Sequence, residues 1–148
     1  MSKKYVVEFT REQLRTLARG LEFYSRFLAG QWEIPDNMEM KEFELQEKYD
    51  GFWEKRNYVE EQFKILKSHF TGLPLNASYG IGSDKLHEDA QISYDLYRPI
   101  WEQFAKEHRE KNPEEKYYSV YDSPGLQYSD EGRIKVEVRE KERNEAGK

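Results

Sequence analysis

The side chains that could do chemistry fall in three groups. Ser25, Arg26, Gln31 and Glu33 follow one another at the end of a helical run. A guanidinium there can grip a carboxylate or a phosphate through its planar fork. It can equally answer the negative end of the helix dipole. Ser25 shares a helix face with Leu21 and Leu28, which suits a buried hydroxyl with its own partner. The second group is LNASYGIGSD, residues 75–84, with Asn76, Ser78 and Tyr79 between two helical runs. Its G-x-G lacks the preceding strand and third glycine of a dinucleotide fingerprint, and no lysine follows as in a phosphate loop. Free amides near a helix start still make a natural anion site, although Asp84 would compete for them. The third group is Tyr94, Asp95, Tyr97, Arg98 and Trp101. Tyr94, Arg98 and Trp101 are spaced to share a helix face. An arginine among aromatics can hold a base or a phosphate, and the same rings can form a core edge or a subunit seam. Asp95 is a possible partner for Arg26 or Arg98.

Other chemistries have little to stand on. His69, His87 and His108 lie far apart and show no ligand spacing, so no metal is expected. No serine sits in a G-x-S-x-G elbow, and no pair is marked out among the 29 acidic residues. No cofactor is expected. With no cysteine in the chain, thiolate catalysis, disulfides and the usual structural zinc ligands are excluded.

These residues need elements to position them. Thr10 and Gln13 have capping-box spacing, and Leu14, Leu17, Ala18, Leu21, Tyr24, Ser25 and Leu28 repeat at helical period. The pattern predicts a helix from Arg11 to Ala29, ended by Gly30. Pro35 marks a link in which Asp36 or Asn37 can cap a short second helix. After a break at 49–51, Phe52, Arg56, Val59, Phe63, Leu66 and Phe70 predict a helix over 52–69, closed by Gly72 and Pro74. Ser83 or Asp84 is expected to cap a long helix reaching His108, with a kink or break where Pro99 removes an N–H. Tyr5–Phe9, Lys116–Asp122 and Arg133–Arg139 read as strands. The expected fold is α+β: helices packed on one side of a small three-stranded antiparallel sheet, one domain over residues 1–140, then a polar frayed tail over 141–148.

The chain's 148 residues suit one domain. Its charge of -5, with both signs mixed along most of the chain, disfavours nucleic acid as a partner but leaves room for a local anion pocket. Aromatics make up 15% of residues, enough to supply a core and an oligomer interface. Neither a signal-peptide run at the N-terminus nor a membrane-spanning stretch is expected.

Three blocks, LARGLEFYSRFLAGQWE (17–33), NASYGI (76–81) and EDAQISYDLYRPI (88–100), resemble a family of small uncharacterised proteins of phages and prophages. The chain departs from that pattern at Pro99 and in the charged insert around residues 39–62. The resemblance implies a phage or bacterial origin and a cytoplasmic setting in a bacterial host, and supplies no mechanism. Two binding functions follow. One is a non-enzymatic accessory protein that contacts a host protein or its own copies through the long helix, with Tyr97 and Trp101 at the interface. The other holds a small nucleotide-like anion among Arg26, Gln31, Asn76, Ser78, Tyr79, Tyr94 and Arg98. A small hydrolase with an unmarked acid–base pair is a third possibility.

Overall fold

A computed structural model describes residues 3–34 and 51–140. Three helices organise them: α1 (Arg11–Leu28), α2 (Phe52–Thr71) and α3 (Glu88–Lys111). A single 3₁₀ turn at Val120–Asp122 follows. The expected short helix capped by Asp36 or Asn37 and the tail over 141–148 lie outside the described residues.

The start of α1 follows its sequence signal. Thr10 N–H donates to Gln13 Oε1 at 2.9 Å, and Gln13 N–H donates to Thr10 Oγ1 at 3.2 Å. That reciprocal pair satisfies two of the amides a helix start leaves open. α1 then packs along α3. Ala18, Tyr97 and Ile100 form the buried centre of the contact, with Leu14, Leu21, Trp101, Phe104 and Val136 packed around it. A small residue at position 18 lets the helices approach closely enough for Tyr97 to be covered. A second cluster, Ala29, Leu86 and Ala90, seals the end of α1 against the start of α3.

α2 ends at Gly72 in the left-handed conformation, whose N–H reaches Ser68 O. Its covered face differs from the apolar repeat in the sequence. Phe52 and Lys67 are buried, whereas Leu66 and Phe70 are exposed. The covered stripe follows the apolar repeat through Phe52, Val59 and Phe63, then passes to Lys67 rather than to Leu66 and Phe70, and the Lys67 stem lies against Gly30.

α3 starts later than Ser83 or Asp84. Its cap is His87, whose Nδ1 accepts Asp89 N–H at 3.1 Å. Ser83 instead accepts Lys85 N–H in a preceding turn, which carries Leu86 into the core before the helix begins. The break expected at Pro99 is absent, and α3 is one helix from Glu88 to Lys111. Proline at 99 leaves the Asp95 carbonyl without its helical donor. Ile134 N–H, from the C-terminal segment, approaches that carbonyl at 3.4 Å.

The α+β expectation is overturned: the described residues contain helices and no strand. Tyr5–Phe9 forms no strand and is exposed, with Tyr5 at 85% and Val6 at 90%. Within Lys116–Asp122, the end of the segment curls into the 3₁₀ turn. Arg133–Arg139 forms no strand, and only Val136 of its apolar residues joins the core, while Val138 is exposed. The physical reason lies in α3. Arg98 and Arg109 take the carbonyls of Val120 and Tyr117, which a ladder over 116–122 would need, and Asp95 takes the amides of Tyr128 and Ser129 farther along.

Candidate functional site

The polar residues of α1 and α3 meet in a network centred on Glu22. Its carboxylate accepts Arg26 Nε at 3.2 Å, Arg26 Nη2 at 3.0 Å and Trp101 Nε1 at 3.0 Å. The Tyr121 hydroxyl lies 3.5 Å from the same group. Arg26 also donates to Gln31 Oε1 at 2.9 Å, so it ties the last turn of α1 to the chain leaving it. The i, i+4 spacing of Glu22 and Arg26 makes this pairing local. Tyr97 is buried beside the network. Burial, reinforced by Glu22, pushes its phenol far above the ordinary tyrosine range. Burial and Glu22 act on Tyr121 in the same direction.

Arg98 pins the segment that follows α3. Its Nη2 donates to Val120 O at 2.6 Å and Ser123 O at 3.3 Å, its Nε donates to Glu102 at 3.2 Å, and its guanidinium lies 4.6 Å from the Tyr121 ring centre. Glu102 also accepts Gly125 N–H and pairs with Arg133, which donates in turn to Gly125 O at 2.7 Å. A Cβ on Gly125 would stand 2.8 Å from Arg98 Cγ, so the close approach needs glycine. Farther along, Arg109 grips Asp122 through two donors, at 3.2 and 2.8 Å. Those bonds and the Ser119 amide hold the Asp122 carboxyl below the usual carboxylate range.

Asp95 does not pair with Arg26 or Arg98. Fully buried, it accepts the amides of Tyr128 and Ser129 and the hydroxyl of Ser129. Residue 95 thus receives the C-terminal segment on both its carboxyl group and its carbonyl.

The 75–84 stretch is held from behind. Lys67 Nζ donates to Pro74 O at 2.7 Å and Ala77 O at 2.6 Å. Gln91 Nε2 donates to Ile81 O at 2.9 Å, and Tyr79 N–H donates to Ala29 O at 2.8 Å. Burial lowers the Lys67 pKa, with Glu33 opposing and Lys64 adding to the shift. The helix start it was expected to serve lies beyond His87. The loop turns the chain and joins α2, α1 and α3.

The sequence-selected residues therefore occupy separate structural roles. Arg26 and Gln31 close α1. Asn76 accepts Lys64 Nζ at 3.3 Å on the surface, and Ser78 is exposed. Tyr79 packs against the Ala29 cluster. Tyr94 lies edge-on to Tyr97 and Tyr128. Among the described residues, no hydrogen bond or ion pair joins Arg26 or Arg98 to residues 76–84. Tyr97 is buried and Trp101 half-buried within the chain's own core, away from a free interface. Ser25 donates to Ala90 O at 2.8 Å as a satisfied buried hydroxyl. The sequence reading missed Glu22, Glu102, Arg133 and Lys67. Two signals were available: the i, i+4 pairs Glu22/Arg26 and Arg98/Glu102, and Lys67 four residues after Phe63 on the covered face of α2.

Chemically, the arrangement favours fixed charges. The shifted arginines and Asp122 are held in their charged forms, and Tyr24, Tyr97 and Tyr121 in their neutral ones. A general acid or base works best with a pKa near the operating pH; these shifts run the other way, while that of Lys67, whose amine is held by two loop carbonyls, runs toward it. Among the described residues, no cluster of three His, Cys, Asp or Glu is placed to hold a metal, and no helix is long and apolar enough to cross a membrane. Two clefts, of about 490 and 410 Å³, lie along the last turns of α3 around His108. Comparisons with protein-family models, curated proteins and solved structures return no match. Segments 17–33, 76–81 and 88–100 pack on one another. Ser25 meets Ala90, Tyr24 meets Asp89, and Ala29 meets Tyr79.

Proposed function

We infer that the protein is a non-enzymatic binding module whose partner is another protein chain, its own copy included. The observation that carries this reading is a row of aromatic rings running from α1 to α2. Phe23 and Phe27 are 6.1 Å apart, Phe27 stacks on Trp32 at 4.5 Å, and Trp32 meets Phe70 at 5.9 Å. The row runs along the surface over the buried Trp32: Phe27 is 36% exposed, Phe70 is 84% exposed, and Leu66, one turn earlier, is 51% exposed. Large apolar groups clustered at a surface mark contact sites, and aromatic rings bring much area at small entropic cost. The arginines that would serve a small anionic ligand already have internal partners, which weighs against the nucleotide reading among Arg26, Tyr79 and Arg98. The contact surface is placed on α2 rather than on Tyr97 and Trp101. A phage or prophage accessory role in the bacterial cytoplasm belongs to the same reading, supported by the three resembling blocks.

A photo-crosslinking side chain in place of Phe70, in the full chain expressed in its natural host, tests this. The expected result is an adduct of discrete mass from position 70 and none from exposed Lys135. Irradiation that leaves position 70 unlinked overturns the reading.

A further inference from the structure

The cleft of about 410 Å³ on the last turns of α3 is a separate feature from the Phe70 surface. Residues 117–122 fold back along α3 and supply its outer wall. Trp101, Phe104, Tyr118 and Tyr121 line it with rings. Its size lies within the range of small-molecule sites, about 300–1,000 Å³.

The charged groups in the lining are matched internally. Arg109 is bonded to Asp122, and His108 Nε2 lies 2.5 Å from Glu115 Oε2. These groups are thus already partnered within the chain. It does offer neutral hydrogen bonding. The Ser119 hydroxyl oxygen accepts Tyr121 N–H at 3.1 Å, which leaves its proton to donate. Asn112 donates its amide to His108 O, and its Oδ1 has no partner among the described residues. Tyr118 has Arg109 against one ring face, 4.3 Å from the centroid, yet the residue is 79% exposed, so ring surface is left bare.

We propose that this cleft binds an uncharged planar heterocycle of the nucleobase class. Aromatic walls favour a flat π-surface over an aliphatic one. The internally matched charges give a phosphate nothing to add. A donor at Ser119 and an acceptor at Asn112 suit a ring edge that carries both kinds of group. The site is independent of the protein-contact surface, and either stands if the other fails.

The chain has three tryptophans, and Trp101 is the one that lines this cleft. Its indole N–H signal in ¹H–¹⁵N spectra of the full chain reports occupancy. The probes are adenosine, AMP, inorganic phosphate and N-acetyltryptophanamide. Adenosine and AMP are expected to shift the Trp101 signal saturably with similar Kd values, and phosphate to leave it unmoved. Tyr118→Ala, at an exposed position that the fold tolerates, is expected to weaken adenosine binding by about tenfold or more. The proposal is overturned if no saturable shift occurs, or if Tyr118→Ala binds adenosine as well as the wild type. It is also overturned if AMP binds far more tightly than adenosine, which would mark an anion site. Tighter binding of N-acetyltryptophanamide than of adenosine would assign the cleft to a protein side chain and likewise overturn it.

Discussion

Ser129 is bound twice to Asp95: its N–H donates to Oδ2 at 2.7 Å, and its hydroxyl donates to the same oxygen at 2.6 Å. Tyr128 N–H adds a further donor to a carboxyl group that is fully buried. Asp95→Asn puts an NH₂ where one oxygen accepted these bonds and leaves buried donors facing a donor. Each unsatisfied buried group costs about 1–3 kcal/mol. Urea unfolding should show Asp95→Asn destabilised by about 2–4 kcal/mol and Ser129→Ala by about 1 kcal/mol. Equal stability of Asp95→Asn and wild type would remove Asp95 as the anchor of the C-terminal segment.

Lys67 supports the 75–84 turn from α2. Lys67→Met keeps the packed stem and removes the donors to Pro74 O and Ala77 O. Local opening is expected to become easier by about 1–3 kcal/mol. Hydrogen exchange checks this at the Tyr79 amide, which donates to Ala29 O. That amide should exchange faster in the variant, while amides in the middle of α1 keep their rates.

Alkaline pH should destabilise the protein through its buried phenols. The Tyr97 pKa is raised from 10.0 by burial first and by Glu22 second, with Arg26 opposing. Above pH 10.0 the unfolded chain loses this proton while the folded chain keeps it. The unfolded state then binds fewer protons, so stability falls as pH rises from there toward the higher folded value. Tyr97→Phe should make the loss above pH 10 shallower in denaturant titrations, with Tyr121 supplying the part that persists.

Gly20 lies within α1, and a Cβ there would meet nothing within 4 Å. The residue accommodates no close neighbour. Gly20→Ala should therefore gain about 1 kcal/mol from helix propensity alone. Thermal unfolding followed by circular dichroism should show a higher Tm with the native spectrum kept.

The sequence by itself determined those features whose physics is local. The Thr10–Gln13 capping box, the apolar repeat of α1 and the Gly72–Pro74 stop each need only near neighbours, and all three are present. The pairing of Glu22 with Arg26 was equally local, though it became visible as a site only when Trp101 and Tyr121 arrived from distant parts of the chain. Tertiary structure decided the rest. Residues 133–139 alternate like a strand, but alternation does not provide a ladder partner. Asp95 and Arg98 instead draw the preceding segment onto a helix. Pro99 signals a kink or a break when read alone, yet Ile134 approaches the carbonyl it leaves open, and the helix is not broken. Lys67 reads as a surface charge until two loop carbonyls 7 and 10 residues later surround its amine. In each case a backbone group needed a partner, and distant folding, which local periodicity does not encode, decided which partner reached it.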